Sequence, residues 1–276
     1  MSLTLMYITN NPEVALIAQK NGVDRIWVDL EQLGKAERQK NMNTVKSTHT
    51  INDVKIIAPL MKTSQLLVRV NPWNENSKQE IKEVIEAGAD IIMLPMWKSV
   101  LEVQNFIMAT EGKVKTTLLL ETKEAVECLD EVLQLPGIDE IHIGLNDLHL
   151  SYGLSFMFEL LSNGTVEKIC NKIKHSGLPY GFGGIARLGE GLLPAEKIIL
   201  EHYRLGSTRA ILSRSFCNTE VITDVLEVND LFQKHLNELR VFEDSVSVIQ
   251  KEELEKNKHE VQNIVNSIVT SKVNAI

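Results

Sequence analysis

Short apolar, β-branched runs alternate with amphipathic helical patterns along this chain, and this alternation constrains the fold more than any other feature. The runs are apolar on both faces, as in Ile91-Ile92-Met93-Leu94, which is typical of a parallel sheet covered by helices. We therefore predict a closed (β/α)8 TIM-type barrel, with an open doubly wound sheet as the alternative. The eight predicted strands are 3–9, 24–31, 66–71, 90–96, 115–122, 139–147, 180–186 and 209–216.

The last part of the chain differs from the rest. It follows a helical pattern rich in Glu, Lys, Asn and Val, with an apolar stripe that includes Val261 and Val265 at helical spacing. A length of 276 residues suits one barrel with an appendage. We predict a barrel domain over 1–221 and a C-terminal helical extension over 222–276, which covers the barrel or docks on another subunit.

Composition excludes several classes of protein. A formal charge of −8 and a pI of about 5.5 argue against nucleic-acid binding. The first residues lack a basic leader, and no apolar run approaches the roughly 18 residues that a membrane span needs. The three cysteines, Cys128, Cys170 and Cys217, show no metal-binding spacing, which favours a reducing compartment. We expect a cytoplasmic protein with no nucleic-acid or membrane partner.

Two acidic residues end two of the predicted strands. Glu121 follows a run of three leucines, and Asp147 closes the strand predicted over 139–147. Burying a carboxylate is costly unless it is paired or bound to a metal, and barrel enzymes carry their catalytic groups at the carboxyl ends of strands. We therefore predict that Glu121 and Asp147 hold a divalent cation, Mg²⁺ or Mn²⁺, because such ions prefer oxygen ligands.

An arginine at another strand end suggests the substrate. Arg69 could grip a carboxylate with two parallel hydrogen bonds, and a metal beside an arginine suits a 2-oxo acid whose enolate charge needs stabilisation. Ordinary structural alternatives stay open. Glu121 could cap the following helix, and Arg69 could be an ion-pair partner of Asp29 or Glu31.

The histidines and glycine-rich segments carry weaker signals. His149 lies just past Asp147 and could enter the site, whereas the alternation of side chains predicts that His142 faces the helix layer. The other five histidines are predicted to lie on the surface or on helices. No P-loop or dinucleotide-binding fingerprint occurs in a suitable context, which disfavours nucleotide chemistry.

Six motifs occur in a fixed order between about residues 10 and 216. They are Val28-Asp29-Leu30-Glu31, Val68-Arg69-Val70-Asn71, Ala87-Gly88-Ala89-Asp90-Ile91-Ile92-Met93-Leu94-Pro95, Leu120-Glu121-Thr122, Pro136-Gly137-Ile138-Asp139 and Gly144-Leu145-Asn146-Asp147-Leu148. Together they resemble the HpcH/HpaI aldolase and citrate lyase β-subunit family, within the phosphoenolpyruvate/pyruvate barrel superfamily. The resemblance implies reversible aldol or Claisen cleavage through a pyruvate-type enolate.

The resemblance also implies roles for individual residues. The positions that match the family's metal ligands are Glu121 and Asp147, and Arg69 matches the arginine that holds the oxo acid. Backbone amides would meet the substrate carboxylate around Gly144, Leu145 and Asn146. The family is usually oligomeric, as trimers or hexamers, and Glu86 matches an acid that reaches a neighbouring subunit's site.

This chain departs from the family pattern at a position linked to proton transfer. Aldolase members follow the acid of the second strand with a histidine, whereas this chain has Gln32. Glutamine orients water but does not shuttle a proton near neutral pH. We expect Asp29 and Glu31, together with Gln32, to order water or contact the groups that bind substrate. The citrate-lyase type also carries a lysine after Pro95, where this chain has Met96.

The leading prediction is a divalent-metal-dependent carbon–carbon lyase of the aldolase type that acts on a small 2-oxo acid, as a homo-oligomer. One alternative is an acyl-CoA lyase or thioesterase of the citrate lyase β type. Another is a catalytically impaired barrel that binds a metal and a metabolite and serves as a regulatory or scaffold subunit, with Gln32 as the visible lesion.

Overall fold

The computed structural model describes residues 2–34 and 48–273 and shows a closed barrel of eight parallel strands in chain order. Strand β1 pairs with both β2 and β8, which closes the sheet. The predicted (β/α)8 barrel is confirmed, and the open sheet is excluded. The strands are β1 (Thr4–Ile8), β2 (Arg25–Asp29), β3 (Gln65–Arg69), β4 (Ile91–Leu94), β5 (Lys115–Leu120), β6 (Glu140–Ile143), β7 (Tyr180–Ile185) and β8 (Arg209–Leu212).

Helices follow the strands and cover the outside of the barrel. In the described part of the chain the α-helices are α1 (Pro12–Lys20), α2 (Ile51–Ile57), α3 (Ser77–Glu86), α4 (Val100–Thr110), α5 (Lys123–Glu127), α6 (Leu129–Val132), α7 (Leu145–Ser151), α8 (Glu159–Ser162), α9 (Thr165–Ser176), α10 (Ala195–Leu205), α11 (Val225–Val246) and α12 (Lys251–Val273). The start of α1 is fixed by Asn11, whose side chain accepts hydrogen bonds from two backbone amides of the first turn.

The barrel interior has an apolar middle and a charged lower layer. Trp27, Leu67 and Met93 belong to a buried apolar cluster that is separate from the core between sheet and helices. At the amino ends of the strands, Glu140 accepts hydrogen bonds from Arg25 and, at 2.8 Å, from Nε of Arg209. Burial would raise the pKa of Glu140, but the two arginines lower it below its usual value. This ion-paired layer closes the end of the barrel opposite to the site described below.

One predicted strand differs from the structure. The run 139–147 is not one strand, because β6 ends at Ile143 and α7 begins at Leu145. Asp147 therefore lies in the first turn of a helix and not at a strand end. The helical segment after β5 is divided at Cys128, whose φ and ψ of −95° and 9° are not helical and which separates α5 from α6.

The C-terminal helices pack on the barrel of their own chain. Helix α11 lies against α1, and α12 lies against α8 and α10. Val261 and Val265 of the predicted stripe are buried in this contact, and Asn257 donates to the carbonyl of Lys197 at 3.1 Å. Of the two roles left open for this extension, the structure shows the covering one. No helix in the described ranges is long and apolar enough to cross a membrane.

Candidate active site

A cavity of about 690 Å³ opens at the carboxyl ends of the strands, and we name it the mouth cavity. The site residues predicted from the sequence that line it are Asp29, Arg69, Glu121, Gly144, Leu145, Asn146 and Asp147. They come from four different strands or the loops after them, so the barrel brings together groups that are more than a hundred residues apart in the sequence. Its remaining wall includes Trp27, His49 and His142.

Glu121 is the most constrained carboxylate of the mouth cavity. It directly follows β5, is only 3% exposed, and accepts a hydrogen bond from the backbone amide of Met96 at 3.1 Å. Glycine at position 144 makes room for it, because a Cβ there would lie 2.8 Å from Oε2 of Glu121. The helix-cap alternative is wrong for Glu121, since α5 is capped by the hydroxyl of Thr122, which accepts from Ala125 N at 3.1 Å.

The surroundings of Glu121 favour a cation. Burial raises the pKa of Glu121 well above its usual value, and the negative charges of Asp147 and Glu31 raise it further, while Arg69 acts in the opposite direction. When Glu121 and Asp147 are both ionised, their charges repel each other and create a strong negative potential in the cavity. A divalent cation between them would relieve that repulsion.

The donor set suits a hard metal ion. Within the described residues no group of three or more His, Cys, Asp and Glu side chains could hold a metal ion, so a closed structural zinc site is not formed by them. Glu121 and the half-buried Asp147 offer carboxylate oxygens to the same cavity. Mg²⁺ and Mn²⁺ accept such a sparse set, because they keep water or substrate oxygens in the remaining positions.

Arg69 is held rigidly beside these carboxylates. Its Nε and Nη2 contact the two oxygens of Asp29, each at 2.8 Å, and Nη2 lies 3.3 Å from Oε2 of Glu31. The guanidinium carbon lies 5.2 Å from the ring centroid of Trp27. Burial by itself lowers the pKa of Arg69, but the two acids outweigh it and raise that pKa, so the side chain stays charged. The ion-pair alternative therefore holds, and the same arginine lines the mouth cavity.

One histidine of the mouth cavity was missed by the sequence analysis. His49 is half-buried, and its Nδ1 accepts a hydrogen bond from the backbone amide of Asp29 at 3.0 Å. It lies two residues before the first residue of α2, where the sequence suggests only a surface position. No local pattern reveals it, because its place depends on contact with the end of β2.

The two histidines near Asp147 are placed differently from expectation. His142 faces the barrel interior, where Nε2 lies 3.2 Å from the carbonyl of Gly183, so its predicted position in the helix layer is wrong. Burial lowers the pKa of His142 to about 4, which keeps the ring neutral. His149 is buried in α7 with Nδ1 3.2 Å from the carbonyl of Leu145, and it is not among the described residues that line the mouth cavity.

Three predicted residues lie outside the cavity wall. Glu31 is 1% exposed and reaches the site through Arg69. Gln32 is exposed, and its backbone amide donates to Asn71 Oδ1 at 2.9 Å. Glu86 ends α3 just before β4, and its side chain is 63% exposed and 3.9 Å from Lys82. It therefore lies at the opposite end of the barrel and cannot reach the mouth cavity of its own chain.

The fold and the placement of these acids define a (β/α)8 barrel with an acidic cavity at the end where barrel enzymes hold their catalytic groups. A family model described as HpcH/HpaI aldolase/citrate lyase matches residues 3–174. The chain belongs to this family.

The relatives found by sequence comparison have low sequence identity to this chain. The chain is 26% identical over 170 residues to a 2-keto-3-deoxy-L-rhamnonate aldolase of Salmonella gallinarum, a match that covers 51% of this chain and 58% of that protein. The aldolase of the same name from Shigella dysenteriae is 26% identical over 204 residues, covering 63% and 71% respectively. The chain thus spans little more than half the length of the first of these relatives.

Solved structures confirm the fold. An HpcH/HpaI aldolase from Desulfitobacterium hafniense superposes with a TM-score of 0.61 at 15% identity, covering 83% of this chain and 93% of that one. A citrate synthase named SbnG superposes with a TM-score of 0.60 at 16% identity, covering 83% and 94%. At this identity the likeness concerns the barrel and not the reaction.

Proposed function

We propose that this protein is a divalent-metal-dependent carbon–carbon lyase that cleaves or forms the bond beside a 2-oxo acid through a pyruvate-like enolate. The observation that carries the proposal is that Glu121, Asp147 and Arg69 line one cavity at the carboxyl end of the barrel. The names of the relatives, 2-keto-3-deoxy-L-rhamnonate aldolases, support the reaction class. The substrate is a small-molecule 2-oxo acid.

Glu121 and Asp147 are the proposed ligands of Mg²⁺ or Mn²⁺. The ion supplies positive charge that stabilises an enolate oxygen. Glu121 is fixed for this role by Met96 N and by the open space at Gly144. Asp147 is fixed by its place in the first turn of α7. Both acids must be ionised to bind the ion, and binding therefore releases a proton from the carboxyl whose pKa is raised.

Arg69 is the proposed anchor of the oxo acid. Asp29 and Glu31 engage Nε and Nη2 and hold the guanidinium plane in place, so that its other donors can meet substrate oxygens without loss of side-chain freedom. The backbone amides of Leu145 and Asn146, which border the same cavity, are proposed to bind the substrate carboxylate. The amide of the neighbouring Gly144 donates to the carbonyl of Leu120 at 2.9 Å, so Gly144 contributes the space beside Glu121 and not a donor. Gln32 stays a candidate for ordering water at the rim.

In the cleavage direction, the aldol hydroxyl gives its proton to a water molecule, its oxygen becomes a carbonyl, and the electron pair of the broken carbon–carbon bond passes to the enolate. A proton from water at the enolate carbon then gives pyruvate. His49 is the proposed hydrogen-bond donor to that oxygen. Because Nδ1 of His49 accepts from Asp29 N, the proton of the neutral ring is on Nε2. A neutral donor of this kind stabilises charge on the oxygen as the bond breaks or forms.

Oligomerisation would bring a further acid to the site. Glu86 lies at the far end of its own barrel, so it serves catalysis only if a second copy of the chain presents it to the mouth cavity. We therefore propose a homo-oligomer, a trimer or a hexamer, with Glu86 at a contact between copies.

The direct test is release of pyruvate from 4-hydroxy-2-oxo acids, followed with lactate dehydrogenase and NADH. The proposal expects release that requires Mg²⁺ or Mn²⁺, stops with EDTA, and is lost in Glu121→Gln. A protein that instead releases thiol from CoA thioesters and forms no pyruvate would be of the acyl-CoA type. Metal binding with neither product would support the impaired barrel.

A further inference from the structure

A residue with left-handed backbone lies beside the proposed metal ligand Glu121. Within residues 2–34 and 48–273, only Met96 and Glu111 among the residues other than glycine have a positive φ, of 53° and 52°. This conformation brings Cβ close to the following carbonyl oxygen and is costly for an L-residue. Glu111 has an ordinary reason for it, because it caps the carboxyl end of α4. Met96 ends no helix, so its backbone requires another reason.

Met96 lies in the turn between β4 and α4, and this turn is tied to the end of β5 at two points. The backbone amide of Met96 donates to Oε1 of Glu121 at 3.1 Å. The carbonyl of the next residue, Trp97, accepts a hydrogen bond from the hydroxyl of Thr122 at 2.8 Å. The indole of Trp97 is buried in the core between sheet and helices. The left-handed turn at Met96 therefore lets its amide face Glu121 while the next residue enters the core, and these contacts hold the costly backbone in place.

The contact with Met96 makes the two carboxylate oxygens of Glu121 unequal. Oε1 accepts the amide hydrogen of Met96, whereas Oε2 borders the space left by the missing side chain of Gly144. Because Oε1 is engaged, Oε2 is the oxygen that Glu121 offers to an ion. Ca²⁺ often takes both oxygens of a carboxylate in a large and flexible shell, whereas Mg²⁺ and Mn²⁺ prefer a tight octahedral shell. A carboxylate with one engaged oxygen therefore favours the smaller ions.

We propose that Met96 is a positioning residue for Glu121, and that its left-handed backbone makes the site selective for Mg²⁺ and Mn²⁺ over Ca²⁺. This inference rests on the proposed function, because it needs Glu121 as a metal ligand. Met96 acts through its backbone amide. The conformation that residue 96 can adopt therefore matters more for metal binding than the chemistry of its side chain.

The test changes the backbone preference of residue 96 and measures metal binding to the full chain. Met96→Ile introduces a β-branched side chain, which disfavours the left-handed conformation, whereas Met96→Gly adopts it freely. Mn²⁺ binding is followed by electron paramagnetic resonance, and Ca²⁺ is then added to displace it. We expect Met96→Ile to bind Mn²⁺ about tenfold or more weakly than the unmodified protein. The excess of Ca²⁺ that displaces half of the Mn²⁺ should also fall in Met96→Ile, and Met96→Gly should retain both values.

The matched control is a β-branched residue at the other left-handed position. Glu111→Thr carries a similar backbone cost at the opposite end of the barrel, where α4 leads into β5. Both Met96→Ile and Glu111→Thr should lower the midpoint of urea unfolding in EDTA, but only Met96→Ile should weaken Mn²⁺ binding. Equal Mn²⁺ affinity in all the variants would mean a purely structural role for Met96 and overturns the inference. Equal losses in Met96→Ile and Met96→Gly, or an unchanged Ca²⁺ excess in Met96→Ile, also overturn it.

Deuterium exchange into pyruvate separates this inference from the proposed function. If the inference holds, the Mn²⁺ concentration that gives half-maximal exchange rises in Met96→Ile by the same factor as the dissociation constant. Mn²⁺-dependent exchange in the unmodified protein, together with equal Mn²⁺ affinity in Met96→Ile, overturns the role of Met96 and leaves the proposed function intact. An unmodified protein that binds no Mn²⁺ contradicts the proposed function, and the inference falls with it.

Discussion

Arg69 and Asp29 are register partners on adjacent strands, and their side chains meet side on, with Nε–Oδ1 and Nη2–Oδ2 distances of 2.8 Å. Glu31 adds a third oxygen at 3.3 Å from Nη2. All three side chains are nearly or fully buried, with Arg69 the most accessible at 11%. The pairing of β2 with β3 therefore builds the proposed substrate anchor into the sheet itself.

Removing the arginine alone should be costly for stability. Arg69→Met removes a charged partner from the buried Asp29 and Glu31, and we expect a loss of about 3 kcal/mol in the free energy of unfolding. The double variant Arg69→Met/Asp29→Asn removes one of these two buried negative charges as well and should recover part of that loss while staying inactive. Urea unfolding measures both. Equal instability of the single and double variants would refute the charge-pair explanation.

The stability of the metal-free protein should depend on pH through Glu121. Its folded pKa is raised by burial and by Asp147 and Glu31, so the folded state binds the proton more tightly than the unfolded chain. The stabilisation is then complete below the unfolded pKa and is lost as pH rises through the folded one. Urea unfolding in EDTA at several pH values should show this loss. Glu121→Gln lacks the titrating carboxyl, so its free energy of unfolding should not show this loss. The same dependence on pH in the variant and in the unmodified protein would contradict the assignment to Glu121.

A single methyl group should weaken the metal site. The Cβ of Gly144→Ala would lie 2.8 Å from Oε2 and 3.0 Å from Cβ of Glu121, so this carboxylate must shift. We expect affinity for Mn²⁺ to fall by about tenfold or more, which is the loss typically caused by changing the groups that orient a metal ligand. Gly184→Ala is the matched control in the same cavity, since its Cβ meets its nearest neighbour at an ordinary 3.4 Å. Similar Mn²⁺ affinities in both variants would argue against Glu121 as a ligand.

His49 and Gln32 offer a comparison of two candidate positions. His49→Gln should lower kcat by about a hundredfold, the low end of what one hydrogen-bond donor to a developing oxyanion contributes, and leave Mn²⁺ affinity unchanged. Gln32→His should raise kcat only slightly, because residue 32 is exposed and its described contact is made by its backbone amide to Asn71. Steady-state kinetics with a 4-hydroxy-2-oxo acid measures both. A large rise in kcat in Gln32→His would mean that the absence of histidine at position 32 impairs catalysis.

Much of the fold was predictable because parallel barrel strands leave a strong local signal. Each of the eight predicted strands overlaps an observed one, and seven contain theirs in full, since a strand covered on both sides is apolar at consecutive positions. The secondary structure around Asp147 was harder to predict. Leu145 and Leu148 fit a helix turn as well as the end of a strand, and only the structure shows that the chain turns at Gly144.

The parts of the site that the sequence could not reveal depend on distant partners. The inward direction of His142 is set by the alternation from Glu140, which meets Arg25, a residue 115 positions away. His49 enters the cavity through the backbone amide of Asp29, which carries no side-chain pattern at all.

Deuterium exchange at the methyl group of pyruvate tests the central claim most directly, because it needs only the enolate site and no acceptor. Proton NMR is recorded in D2O with Mg²⁺, with Mn²⁺ and with EDTA. The proposal expects exchange that requires a metal ion and disappears in Glu121→Gln and Asp147→Asn. Exchange that persists in EDTA, or no exchange under any condition in a protein that binds the metal, would contradict a metal-dependent pyruvate enolate in this barrel.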